Sequence, residues 1–143
     1  MEETIALKKF KDGYNCAQSV LYHYAERIGI DSNVAIRIAT GFGAGMGRMQ
    51  ETCGAITGGI IAINQKYGRN EDEEKEKQEI AYKKVAFFMS EFEKQNGSCN
   101  CQTLLDNIDL RTEEGQKEMK ERQLIKKCYH YVNSAATILE EII

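Results

Sequence analysis

Along most of this chain apolar side chains recur every three to four residues, the spacing that gives an α-helix one buried face. Ala17, Val20, Leu21, Tyr24 and Ile28 make one such stripe, and Val34, Ala35, Ile38 and Ala39 make the next. Ala81, Val85, Phe88, Met89 and Phe92 repeat the pattern, as do Leu124, Ile125, Cys128, Tyr131, Val132, Ala135, Ile138 and Leu139. No segment of strand length alternates with period two. The pattern predicts an all-α protein: one compact helical bundle over residues 1–143, with about five main helices and some short ones.

The helix ends are marked by residue types with known capping roles. A short helix over Glu2 to Lys11 stops at Asp12 and Gly13. Asn15, with Gln18 three positions on, makes a capping box for a second helix that ends at Gly29. Asp31 or Ser32 caps a third. The run GFGAGMG from Gly41 to Gly47 cannot extend a helix easily, so it predicts a tight bend. A helix then starts near Thr52 and reaches about Lys66. It holds Gly54, Gly58 and Gly59 and carries no charge before Lys66, so it should be central and packed on most sides. A charged helix follows from about Asn70 to Gln95, closed by Asn96 and Gly97. Cys101 to Leu105 is a short helix, and the last runs from Thr112 to about Glu141. The chain contains no proline, which permits long helices.

Charge narrows the function. The formal net charge is −3, which argues against a nucleic-acid binder, since these present a basic face. The mixed-sign stretch Arg69 to Glu79 reads as a solvated surface. The longest apolar stretch, Ile56 to Ile63, is far too short to span a bilayer, so no membrane insertion is expected. Glu2 and Glu3 without a following apolar region do not resemble a secretory signal. The expected location is the cytoplasm. Structural disulfides are unusual there, so five cysteines in a short chain call for another explanation.

The cysteines are Cys16, Cys53, Cys99, Cys101 and Cys128. Their spacing is too wide for a zinc-finger pattern, and there is no CxxC pair. Asn15, Thr52 and Asn100 precede Cys16, Cys53 and Cys101, and each is a favoured N-cap. Three thiols are therefore expected in the first turns of three helices, where free N–H groups and the helix dipole favour a thiolate. Cys128 is expected mid-helix on an apolar stripe, protonated and inert. Burial as a small hydrophobe is the competing explanation for any single one of them.

Other signals are weaker. The GxGxG within Gly41 to Gly47 lacks the preceding strand of a nucleotide-binding fingerprint, although Arg48 gives the bend a potential anion-binding edge. His23 stands two helical turns after Cys16 and can share its face, which raises a mixed Cys/His metal site. His130 points away from Cys128. No Ser/His/Asp set, HExxH pair or phosphate loop is present.

Gly13-Tyr14-Asn15-Cys16-Ala17-Gln18-Ser19-Val20, then Cys53-Gly54-Ala55-Ile56-Thr57-Gly58-Gly59, then Cys101-Gln102-Thr103-Leu104-Leu105, and finally Cys128 resemble the redox-active family named for its signature C_GCAxxG_C_C. The resemblance maps the four family cysteines onto Cys16, Cys53, Cys101 and Cys128. Thr52 stands where the family's name has a glycine, and Cys99 lies outside the pattern.

The resemblance implies redox work through thiols with an unidentified redox partner, by a thiol-dependent oxidoreductase. Cys53 is the expected reactive thiolate, with Cys16 or Cys101 resolving it by disulfide formation. The alternative is a metal module in which Cys16, Cys53, Cys101 and Cys128 hold zinc, iron or an iron–sulfur cluster. A helical scaffold with packed cysteines is the third reading. A homodimer is compatible with all three.

Overall fold

The computed structural model describes residues 2–143. Among them are eight helices, seven of at least seven residues, and no strand. They are α1 (Ile5–Lys11), α2 (Cys16–Ala25), α3 (Ser32–Ala39), α4 (Gly54–Tyr67), α5 (Glu76–Asn96), α6 (Cys101–Leu104), α7 (Glu113–Glu121) and α8 (Ile125–Leu139). Several predicted caps are in place. The Asn15 side chain accepts from the Gln18 N–H at 2.9 Å, and the Gln18 side chain accepts from the Asn15 N–H at 2.9 Å. Asp31 caps α3, Asn100 caps α6 and Thr112 caps α7. Gly97 ends α5 with φ 93°.

α4 is the centre, as its lack of charge predicts. Its residues from Gly54 to Gly59, with Ala62 and Ile63, are buried, and α2, α5 and α8 pack around it. The glycines permit this. A methyl group on Gly58 would come within 2.8 Å of Ala17 Cα on α2, and one on Gly54 within 3.0 Å of Cys16 Cβ. On the other side, Gly59 lies under the Phe88 ring of α5, which a methyl group would meet at 2.5 Å. Val20, Leu21, Tyr24, Ile56, Ile63, Phe88, Phe92, Val132 and Leu139 complete the main core, and all are fully buried. A smaller cluster of Cys101, Leu105, Ile108 and Leu124 sits beside it.

Three expected boundaries need correction. The last helix is not continuous: it breaks between Glu121 and Ile125, where Gln123 adopts φ 54°. The Leu124 N–H bonds back to the Met119 carbonyl at 3.0 Å, the closure of a Schellman-type end without its usual glycine. The break turns Leu124 into the smaller cluster, where it is buried. The charged helix starts at Glu76 rather than near Asn70. The Asn70 N–H bonds to the Glu73 carboxylate and the Arg69 side chain to the Glu73 carbonyl, each at 2.9 Å, and these local bonds compete with the helix. Thr52 does not cap α4: Cys53 occupies the cap position, because the Cys53 N–H is committed to the Cys99 carbonyl at 2.8 Å.

The glycine run is a tight bend, as predicted, and an unusual one. Ala44, Gly45, Met46, Gly47 and Arg48 all have φ between 51° and 72°. Five successive left-handed residues, three of them not glycine, carry strain on the order of 1 kcal/mol for each non-glycine.

The close approach of α2 and α4 is testable through Gly58. Alanine there gains about 1 kcal/mol of helix propensity, but its methyl group must displace the Ala17 backbone, which costs about 1–3 kcal/mol. Gly58→Ala is expected to lower the urea midpoint. A midpoint equal to or above that of the parent would show that the two helices are not held at this distance.

Candidate functional site

The four signature cysteines line one cavity of about 160 Å³, shared with Phe10, Leu104, Leu105, Leu110, Met119, Ile125 and Tyr131. They come from four places in the chain. Cys16 is the first residue of α2, and Cys53 is the cap residue of α4. Cys101 is the first residue of α6, and Cys128 lies in the first turn of α8. Cys99 and His23 are not in the cavity wall. The Cys99 thiol donates to the Met89 carbonyl at 3.4 Å. His23 Nδ1 accepts from the Ala6 N–H at 3.1 Å, and its other nitrogen faces Glu140 at 3.6 Å. The mixed Cys/His site considered above is therefore not formed.

Backbone pairing places Cys53 near Cys101. Residues 50–53 and 99–102 run side by side in opposite directions. The Cys53 N–H donates to the Cys99 carbonyl at 2.8 Å, and the Cys101 N–H donates to the Glu51 carbonyl at 2.6 Å. The Gln50 side chain extends this anchoring. It is buried, donates to the Ile108 carbonyl at 3.0 Å and accepts from the Leu110 N–H at 2.8 Å. Tyr131 closes the wall by donating to the Leu104 carbonyl at 2.9 Å. Sequence reasoning passed over Gln50, because a lone polar residue after a glycine run reads as surface.

The helix break changes Cys128. It does not lie mid-helix as expected, because α8 begins three residues before it. The neighbouring Cys16 thiol holds the Cys128 pKa below the ordinary thiol value, against the effect of burial. The proximity of Cys128, with burial, pushes Cys16 well up. Cys53 goes the opposite way from the expectation. Its sulfur does receive N–H donors from Ala55 and Ile56, but burial outweighs them and pushes its pKa up to about 12. Burial pushes Cys101 up to about 12 as well. Removal from water costs a thiolate more than one helix end returns. The set is thus one thiol shifted toward the thiolate among three shifted away from it.

No Lys, Arg, His, Asp or Glu side chain lines the cavity. Among the described residues, no three His, Cys, Asp or Glu side chains are placed so as to hold a metal ion together. The four thiols therefore share a wall without forming a tetrahedral ligand set.

Residues 14–142, almost the entire chain, match the family described as "Putative redox-active protein (C_GCAxxG_C_C)". The chain belongs to the C_GCAxxG_C_C family. No curated protein and no solved structure matched it significantly. The family's cysteine signature thus corresponds here to one apolar, thiol-lined cavity. No helix of the described residues is long and apolar enough to cross a membrane.

The pKa pattern predicts an order of reactivity. In a pH series of alkylation read by peptide mass, Cys128 should react first, while Cys53 and Cys101 should need strongly alkaline solution. Cys16→Ala should move the Cys128 midpoint upward, because burial remains and the donor is gone. Stability should follow Cys53. Below about 8.5 its thiol is protonated in both folded and unfolded chains. Between that value and about 12 only the folded chain keeps the proton, so stability falls as pH rises. Cys53→Ala should lessen this alkaline loss in urea titrations. If Cys53 is alkylated as fast as Cys128 at neutral pH, the burial argument fails.

Proposed function

We propose that this protein is a thiol–disulfide oxidoreductase in which Cys128 is the attacking thiolate and Cys16 resolves it. The observation that carries this reading is that Cys16 and Cys128 line the wall of one cavity, close enough for each thiol to shift the other's pKa. A thiolate beside a second thiol has what exchange needs: a nucleophile, and a neighbour able to displace the first product. The reactive role expected for Cys53 passes to Cys128, since a thiol held near 12 supplies almost no thiolate at neutral pH. Cys53 and Cys101 remain protonated opposite the pair and keep its surroundings uncharged. An external dithiol returns the oxidised pair to thiols, work suited to a reducing compartment such as the cytoplasm.

The support for a thiol pair over a metal centre is geometric. No three candidate ligands converge on one point among the described residues, whereas exchange needs only two sulfurs.

Mild oxidation with diamide is expected to remove two of the five thiols. Peptide mapping should find Cys16 joined to Cys128, and dithiothreitol should restore both. Cys99→Ala should leave this result unchanged. Protein purified without oxygen should carry less than about one equivalent of metal. A stoichiometric metal released together with thiolate absorption, or a disulfide that leaves out Cys128, would overturn the reading.

A further inference from the structure

The cavity also restricts what the thiol pair can act on. We infer that its substrate is a small, uncharged, apolar disulfide, which the protein reduces to two thiols. This rests on the reading of Cys16 and Cys128 as a redox pair and adds the substrate class.

Size, polarity and leaving group support it. The cavity volume of about 160 Å³ is close to that of an apolar cavity of ~150 Å³ that admits benzene. A dialkyl disulfide with one or two carbons on each sulfur is of that order. A tripeptide disulfide is far larger. The wall offers a charged substrate nothing, since no Lys, Arg, His, Asp or Glu side chain lines it. Its polar side chains are already engaged. Asn15 donates to the Thr40 carbonyl at 2.9 Å and accepts from the Gln18 N–H, and the Tyr131 hydroxyl donates to Leu104. A carboxylate or ammonium would enter unpaired and lose its water without compensation. The rim is apolar too: Ile125 is exposed, with Phe10, Leu110 and Met119 half-buried around it.

The leaving group separates disulfides from peroxides, the other small neutral oxidants of thiols. Peroxide cleavage concentrates charge on a departing oxygen, which demands a cation or several N–H donors. The cavity has no cation to give, and the N–H groups of Ala55 and Ile56 are already taken by the Cys53 sulfur. Thiolate attack on a disulfide spreads one charge over three sulfurs, and a thiolate departs far more readily than an alkoxide. An apolar wall penalises that delocalised charge least.

The steps balance. The Cys128 thiolate attacks one sulfur of R–S–S–R, breaking the S–S bond to give Cys128–S–S–R and R–S⁻. The Cys16 proton passes to R–S⁻, which leaves as the thiol. The Cys16 thiolate then attacks Cys128, forming the Cys16–Cys128 disulfide and expelling the second R–S⁻, which takes a proton from water. Two electrons move from the protein to the substrate, and an external dithiol returns them.

The test compares oxidation of the fully reduced protein by diethyl disulfide, dianionic dithiodiglycolate and glutathione disulfide. Each rate is divided by that of the same disulfide with dithiothreitol, which removes intrinsic reactivity. Diethyl disulfide should then exceed both others by about tenfold or more, the effect of one unpaired charge at little over 1 kcal/mol. Within a neutral series the normalised rate should collapse once the alkyl chains outgrow the cavity. Equal normalised rates, or no dependence on chain length, would overturn the inference. If diamide joins Cys16 to Cys128 while the disulfides show no selectivity, the redox pair stands and the substrate class falls. If diamide fails too, the redox reading itself falls. Tert-butyl hydroperoxide, normalised in the same way and outrunning diethyl disulfide, would also overturn the choice of disulfide.

Discussion

The site depends on how closely α2 can approach α4. Side chains at 54 and 58 would push the two helices apart, and hydrogen atoms there let the Ala17 backbone rest against α4. That distance sets Cys16 at the start of α2 beside the cap of α4, where Cys53 stands. Everything else at the site is built around this contact. The pairing of residues 50–53 with 99–102 adds Cys101, and the break before α8 adds Cys128. The glycines after Cys53 are thus packing requirements, and the sulfur chemistry relies on them from a distance.

The second determinant is the contest between water removal and hydrogen bonding at sulfur. Helix-end donors reach Cys53, but the apolar surroundings that α4 needs as a central helix override them. At Cys128 one neighbour, the Cys16 thiol, tips the balance the other way. A family signature that treats four cysteines alike therefore contains two kinds. Cys16, Cys53 and Cys101 are pushed toward the protonated form, and Cys128 alone is shifted toward the thiolate.

Much of this was legible in the sequence, and the limits have physical reasons. The helical class, the caps at Asn15 and Asn100, the central place of α4 and the bend at the glycine run follow from short-range patterns. The four signature cysteines could be picked out as a set from the resemblance. What failed depended on distant parts of the chain. The break at Gln123 carries no glycine or proline, and the pull of Leu124 into the smaller cluster is visible only when the cluster exists. Missing that break placed Cys128 mid-helix. Thr52 was a plausible cap until the segment around Cys99 claimed its neighbour's N–H. Gln50 holds residues 108–110 in place, a role that no local pattern announces.

The left-handed turn at residues 44–48 bears on how the molecule comes into being. It borders the cavity, with Gly45 so near Cys101 that a methyl group would sit 2.7 Å from its Cβ. A turn of that hand is unfavourable for Ala44, Met46 and Arg48 on their own, so it is not a structure around which folding can nucleate. The residues it packs against, 99–102, follow it by about a third of the chain, and α8 arrives later still. During synthesis Cys16 and Cys53 leave the ribosome long before their companions, so the thiol cavity is among the last features to close. Until then the thiols are open to any oxidant, which makes a reducing environment during synthesis as important to this fold as its glycines.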